Sequence, residues 1–265
     1  MAELPTPLCV VGPFSEHQAT VIFLHGRGSS GKEFCEDFLI ESQGSDRKTL
    51  PQRFPGIRWV LPSAPERYST VFQEEMPEWF DIYSLSNPSQ REELQVQGLR
   101  ESIEQIHEVL KQEASVIGAS KVVLAGISQG CATGLHALLS FDQALGGFIG
   151  TCGWCPFKTQ LDQAADQQSA SGRLNALDEF YATVLRLDTT KSSAPMSTPA
   201  LISYALDDGT VEPQLSQQLA GTVERLGFPV QVKKYDDCGH WIKEPEGVDD
   251  MASFLEDVVG AAAPL

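Results

Sequence analysis

Short apolar runs alternate along this chain with longer stretches of helical periodicity. Val21-Ile22-Phe23-Leu24, Lys121-Val122-Val123-Leu124-Ala125, Gly147-Phe148-Ile149-Gly150, Ala200 to Leu206 and Val230 to Tyr235 each read as a strand. The near-continuous apolar character of the inner runs fits parallel strands buried on both faces. Between them, Asn87-Pro88 is predicted to open a helix on which Leu99, Ile103, Ile106 and Leu110 form one apolar face. Cys131 to Leu139 is an apolar stretch of helix formers. Strand–helix alternation of this kind predicts an α/β fold with a mostly parallel central sheet and helices on both faces. The 265 residues suit a single domain with a large core, and no internal repeat is visible.

One segment interrupts the alternation. Residues 158–197 form an insertion, with Gln160 to Ser171 and Lys191 to Pro195 as its expected flexible ends. Between them Leu174, Leu177, Phe180, Tyr181, Val184 and Leu185 are spaced for an amphipathic helix. Two readings stand: a helix packed on the domain surface, or a mobile cap over a substrate pocket.

The strongest chemical signal is Gly126-Ile127-Ser128-Gln129-Gly130, set where a strand gives way to a helix. This is the G-x-S-x-G nucleophile elbow. Flanking glycines let strand and helix approach closely, and the turn presents the serine hydroxyl at the carboxyl edge of the sheet. The amides of the new helix point at the same spot. The plainer alternative is a tight turn whose serine caps a helix.

If Ser128 is a nucleophile, its partners should follow in the order acid, then base. Asp207-Asp208-Gly209-Thr210-Val211 follows the strand from Ala200, and Cys238-Gly239-His240-Trp241 follows the strand from Val230. Each falls at a strand's carboxyl end, where open parallel sheets place their sites. His240 is therefore the expected base, and Asp208 the carboxylate that holds its tautomer. Asp207 is the nearest rival, while Asp236 and Asp237 read as a solvated turn. Among the other histidines, His17 lies in an N-terminal loop, His107 on the polar side of the long helix, and His136 in an apolar helix as a packed core residue. His25 precedes the serine and reads as a brace for the loop after it.

That loop, Gly26-Arg27-Gly28-Ser29-Ser30-Gly31, has the letters of a dinucleotide fingerprint. It lacks a clear acidic partner about 20 residues on, and Gly31-Lys32-Glu33 is not the end of a P-loop. With a complete Ser–Asp–His order present, the loop is better read as an oxyanion donor. The donors are then the backbone amides of Arg27 and Gln129.

Leu24-His25-Gly26-Arg27-Gly28, Met76-Pro77-Glu78-Trp79-Phe80-Asp81-Ile82, the elbow, Gly153-Trp154-Cys155-Pro156 and Cys238-Gly239-His240 occur in that order. Together they resemble the acyl-protein thioesterase, lysophospholipase and carboxylesterase family of α/β-hydrolases, over roughly residues 18–257. The resemblance implies Ser128, Asp208 and His240 as catalytic residues and Arg27 and Gln129 as oxyanion donors. It makes Gly153 to Pro156 a pocket rim, while Trp79, Phe80 and Trp154 are read as candidates to line the acyl channel, with ordinary core packing as the alternative for each, and Trp241 as a further substrate-binding candidate. No cofactor or metal is implied. The substrate would be an acyl ester or thioester, S-acylated proteins included. Four positions depart from the better-known thioesterases. Their loop usually reads Gly-Leu-Gly-Asp, their elbow is followed by glycine where this chain has Cys131, their acid segment reads Asp-Pro-x-Val-Pro, and a small residue commonly stands where Trp241 is. The insertion is also longer.

Charge and cysteine content narrow the classes further. A net charge of −17 and a pI near 4.6 disfavour nucleic acid and anionic membrane surfaces as partners. The N-terminus lacks a signal-like pattern and no apolar run has transmembrane length. A cytoplasmic protein without stable membrane insertion is the expectation. Its six cysteines then read as thiols. Cys152-Gly153-Trp154-Cys155 has redox spacing, but it lies late in the sheet and meets Pro156, and a second pair of zinc ligands is not in sight. A binding protein that keeps a hydrolase pocket without turnover is the competing functional class. Oligomeric state is not legible.

Overall fold

The predicted strands assemble into one sheet in a computed structural model that describes residues 8–84, 86–187 and 195–260. Its strands are β1 (Leu8–Val11), β2 (Ala19–Leu24), β3 (Ile57–Pro62), β6 (Val122–Ile127), β7 (Gly147–Thr151), β8 (Ala200–Ala205) and β9 (Val230–Tyr235). A separate hairpin, β4 (Glu66–Ser69) and β5 (Glu74–Pro77), lies between β3 and the next helix. The sheet order is β1-β3-β2-β6-β7-β8-β9, and only β1 runs antiparallel to its neighbour. The parallel strands therefore deliver the loops after β2, β6, β7, β8 and β9 to one edge.

Side-chain alternation divides the core in two. Ile22, Leu24, Val122, Leu124, Ala200 and Ile202 pack on one face. Val21, Phe23, Val123, Ala125 and Leu201 pack on the other. Helices α3 (Gln95–Ile117), α4 (Gln129–Ser140) and α7 (Pro213–Leu226) cover the first face, and α8 (Glu246–Val259) covers the second together with α1 (Gly31–Phe34) and α2 (Leu50–Arg53). The two-sided arrangement explains why the central strands lack polar alternation. Every residue of α4 is buried, so this helix lies between sheet and neighbouring helices rather than on the surface.

Three sequence expectations need correction. The long helix starts at Gln95, not at Asn87-Pro88. Arg91 takes a left-handed φ of 58°, which breaks helical continuation, and Gln95 Nε2 instead donates to the Pro88 carbonyl. His107 is not on a solvated side: its Nε2 donates to the Ala137 carbonyl at 2.9 Å, tying α3 to α4. The stretch from Gln160 is mostly helical, since α5 (Lys158–Ala165) and α6 (Ala170–Phe180) leave only a short link. The second expected flexible piece lies outside the described residues except for Pro195, which begins a short 3-10 turn.

The inserted segment is built into the core. Leu177, Tyr181 and Leu185 are fully buried, and α6 with the wide turn Tyr181–Leu185 packs on α3 and α4. His136 Nε2 donates to the Pro156 carbonyl, which leaves Nδ1 to accept from the Tyr181 hydroxyl at 3.0 Å. Burial holds this imidazole neutral and lowers its pKa to about 4. Leu177→Ala should therefore cost about 2–5 kcal/mol. Urea unfolding checks it; a change under ~1 kcal/mol would mean that the segment is a loosely attached surface piece.

Candidate active site

Ser128 sits on a turn that the sequence makes unusually tight. Its φ of 57° and ψ of −123° are rare for any residue with a side chain. Two glycines permit it. A Cβ on Gly126 would stand 2.4 Å from the Gly130 carbonyl oxygen, and one on Gly130 would stand 2.4 Å from the Leu24 carbonyl oxygen. The elbow thus closes by backbone meeting backbone, and the start of α4 is pressed against the end of β2. Cys131 fits after the elbow because its Sγ fills the space left open by Gly150 and Gly153.

The two neighbouring aspartates after β8 divide their work. Asp208 is buried, and its Oδ2 accepts from His240 Nδ1 at 2.7 Å. Its Oδ1 accepts from the amides of Thr210 and Val211 at 2.8 and 2.9 Å. Burial works to raise this carboxyl, but the bond from His240 and the two amides outweigh it, and the pKa lies below the ordinary value. Because Asp208 only accepts, Nδ1 carries the proton and Nε2 of a neutral imidazole is left as the acceptor. Asp207 is exposed and holds the backbone instead: its Oδ1 accepts from the amides of Cys238 and Gly239 at 3.1 and 2.9 Å. One carboxylate orients the ring, and the other shapes the loop that carries it. Asp236 and Asp237 take no part, and Asp237 pairs with Lys243 at 2.9 Å.

His25 braces the opposite side. The Ala64 amide can only donate, so His25 Nε2 accepts from it at 2.9 Å. Nδ1 must then carry the proton, and it donates to the Gly26 carbonyl at 2.6 Å. Burial holds the ring neutral, with a pKa of about 4. The Trp79 indole donates to the His25 carbonyl at 2.9 Å. The Gln129 side chain completes the tie: Oε1 accepts from the Trp79 amide and Nε2 donates to the Phe80 carbonyl. Arg27 and Ser128 line one cavity, and Gln129 follows Ser128 as the first residue of α4.

Ser128, His240, Arg27 and Trp241 open onto one cavity of about 270 Å³. Phe34, Ile127 and Trp241 give it an apolar wall, with Phe34 and Trp241 meeting edge to face at 6.0 Å. Of the residues expected around an acyl group, only Trp241 reaches this cavity. Trp79, Phe80 and Trp154 are buried in the core, where Phe80 and Trp154 pack edge to face. Trp79 and Phe80 brace the loops beside Ser128 through their hydrogen bonds to Gln129 and His25. Phe34 was missed because it follows the loop in an otherwise polar stretch. No described residue of the 158–197 segment lines the cavity, so the cap reading has no support from this geometry. A larger groove of about 540 Å³ lies elsewhere, between β1 and α1, and contains none of these groups. Cys152 and Cys155 are free thiols rather than a disulfide. Burial first, and the Asp208 charge next, push the Cys152 thiol far above its ordinary value.

Beneath the Arg27 loop lies a buried charge. Glu78 is wholly buried, and neither carboxylate oxygen has a hydrogen-bond partner. Burial, then the Asp81 charge, raise this carboxyl to about 7, and the Arg27 guanidinium offsets part of that rise. That guanidinium is itself turned inward over the Phe72 ring at 4.6 Å. The adjacent Pro77 carbonyl accepts from the Gly28 amide at 2.8 Å, so the segment carrying Glu78 is pinned directly to the loop.

With this geometry in place, likeness to known proteins becomes informative. The sequence profile described as phospholipase/carboxylesterase matches residues 6–171. The chain is 32% identical over 255 residues to acyl-protein thioesterase 1 of Schizosaccharomyces pombe, covering 95% of this chain and 96% of that protein. It is 26% identical over 263 residues to acyl-protein thioesterase 1 of Debaryomyces hansenii, covering 98% and 99%. The solved structure of Zea mays acyl-protein thioesterase 2 superposes with a TM-score of 0.72 at 25% identity, covering 96% of this chain and all of that one. Among the described residues no helix is long and apolar enough to cross a membrane.

The raised Glu78 carboxyl predicts a pH signature. Between about pH 4.5 and 7 the folded chain holds a proton at Glu78 that the unfolded chain has already released. This group's contribution to stability therefore falls as pH rises through that window. Relative to the parent chain, Glu78→Gln should gain up to ~3 kcal/mol on going from pH 4.5 to pH 8. Urea unfolding of both proteins at the two pH values measures the difference. A pH-independent difference would mean that Glu78 ionises normally.

Proposed function

The chain belongs to the phospholipase/carboxylesterase family, and on that premise we propose that it hydrolyses acyl esters and thioesters through an acyl-enzyme on Ser128. One observation carries the reading: a serine at φ 57° and a 2.7 Å Asp208–His240 pair open onto the same cavity. In the proposed reaction His240 Nε2 takes the Ser128 proton as Oγ attacks the carbonyl carbon. The amides of Arg27 and Gln129 receive the charge that develops on the carbonyl oxygen, each worth roughly 3–4 kcal/mol in related acyl-transfer sites. Asp208 stabilises the imidazolium. His240 then protonates an alcohol leaving group, whereas a thiolate leaves with less assistance. A water activated by the same imidazole releases the acid.

The substrate reading follows from likeness. Relatives named acyl-protein thioesterases support S-acylated proteins as substrates. The cavity favours a second reading. Its volume of about 270 Å³ is small beside the ~300–1,000 Å³ of pockets that enclose drug-sized ligands. Its apolar wall is short, which fits a carboxylesterase of short acyl groups.

Ser128→Ala should abolish covalent labelling by a fluorophosphonate and lower kcat by on the order of 10³ or more. Labelling at the parental rate would remove Ser128 from the mechanism and leave a binding protein as the better description. Asp208→Asn should lower kcat by roughly 10⁴ with little change in fold, because the ring takes the wrong tautomer. Asp207→Asn should be far milder, since the carbonyl of its amide still accepts from the Cys238 and Gly239 amides; equal losses in the two variants would overturn this division. A series of p-nitrophenyl esters and acyl thioesters from C4 to C16 decides between the substrates. The short-chain reading expects kcat/KM to peak below C8, and a maximum at C16 favours acyl-proteins.

A further inference from the structure

The Asp208–His240 pair has a neighbour that acyl transfer does not use. Cys152 follows β7, turns inward with a φ of 49°, and is fully buried. Its Sγ, an Asp208 oxygen and a ring nitrogen of His240 all lie within 4.8 Å of one another. A second thiol is close: Cys152 Sγ and Cys238 Sγ both donate to the Trp241 carbonyl, at 3.6 and 3.4 Å. Asp207 stands behind the Cys238 amide. Sulfur, imidazole nitrogen and carboxylate oxygen thus converge in a chain of net charge −17.

We propose that Cys152, Asp208 and His240 form an inhibitory site for a borderline-soft divalent cation of the zinc and cadmium class. The inference rests on the catalytic reading of Asp208 and His240. A sulfur–nitrogen–oxygen donor set suits zinc and its heavier congener rather than magnesium or calcium, which prefer all-oxygen shells. Ligand bonds of about 2.0–2.3 Å require the thiol sulfur to draw in by roughly 1 Å and the close Asp208–His240 pair to open around the ion, both within the reach of side-chain rotation. The ion replaces one proton, that of the thiol, which is released to solvent, while the imidazole proton moves from Nδ1 to Nε2 and the ring stays neutral. No electron transfer is involved. Once the ion lies between ring and carboxylate, Asp208 no longer orients His240, and the imidazole can no longer take the Ser128 proton. Turnover stops without any group occupying the acyl cavity. Inhibition should therefore leave the relative rates of short and long acyl chains unchanged.

The test combines a rate and a binding signal. Zn²⁺ is titrated against hydrolysis of a short-chain p-nitrophenyl ester, with Mg²⁺ as control and EDTA for reversal. Cd²⁺ binding is followed separately through its thiolate charge-transfer absorption in the Ser128→Ala protein, which keeps every proposed ligand. The expected results are reversible inhibition by Zn²⁺, none by Mg²⁺, and a cadmium–thiolate band in the Ser128→Ala protein. In Cys152→Ala the half-inhibiting Zn²⁺ concentration should rise at least ~10-fold, and added to Ser128→Ala it should remove the band. Cys152→Ser serves if the alanine variant folds poorly. Inhibition at the same Zn²⁺ concentration in the Cys152 variants overturns the proposal, as does a band that survives them, for instance from Cys9 and Cys35. Cadmium binding that depends on Cys152 without inhibition by Zn²⁺ upholds the site and instead breaks the assignment of His240 as base. The two failures are thereby separable.

Discussion

The backbone contact between Gly130 and the end of β2 governs the rest of the structure. It forces the start of α4 against the Leu24 and His25 carbonyls, at a separation no side chain would tolerate. Ser128 is left with a positive φ. A conformation of that kind costs on the order of 1–3 kcal/mol and persists only where the surroundings over-determine it. The surroundings here are wholly buried elements. β6 is central in the sheet and α4 is buried along its whole length. The strain is thus held by a core large enough to hold it, and the hydroxyl emerges at the one edge where six parallel strands end.

Hydrogen bonds then register the two loops that flank Ser128. Gln129 clamps Trp79 and Phe80, Trp79 reaches back to the His25 carbonyl, and His25 ties Gly26 to Ala64. These groups are buried, so each bond is worth more as an absence than as a presence: losing one partner strands another without water. The segment from Met76 to Ile82 serves the site in this way without touching the cavity. Its aromatic residues look like a pocket in the sequence because large apolar side chains near a glycine loop suit either role. Only the position of their indole and amide groups, which sequence does not show, separates the two.

Chain order and strand composition made the site legible. The runs around Val21, Val123, Phe148 and Leu201 became neighbouring strands because a sheet buried on both faces needs continuous apolar segments, and the more polar run around Val232 took the exposed edge beside β8. The acid and base followed at the ends of the correct strands. Other features depended on contacts that no local pattern encodes. β1 and the β4–β5 hairpin are short and partly exposed, with weak alternation. The long helix begins late because Arg91 adopts a left-handed φ, which nothing in its side chain requires. Phe34 lines the cavity in contact with Trp241, more than 200 residues away in sequence. The insertion looked like a cap because an apolar stripe must be covered. Its stripe is covered by α3 and α4.

The paired aspartates show how adjacent identical residues come to differ. Asp207 and Asp208 lie in the turn that follows β8, and that turn leaves Asp207 exposed and Asp208 buried. The inward residue loses hydration and recovers it from two amides and a ring nitrogen. The outward residue keeps its water and spends its lone pairs on the Cys238 and Gly239 amides. Both halves of the result serve His240, since a ring can be oriented only if the loop carrying it is fixed. A tandem aspartate after a strand supplies both constraints from a single turn, with the assignment made by the path of the turn rather than by any difference between the side chains.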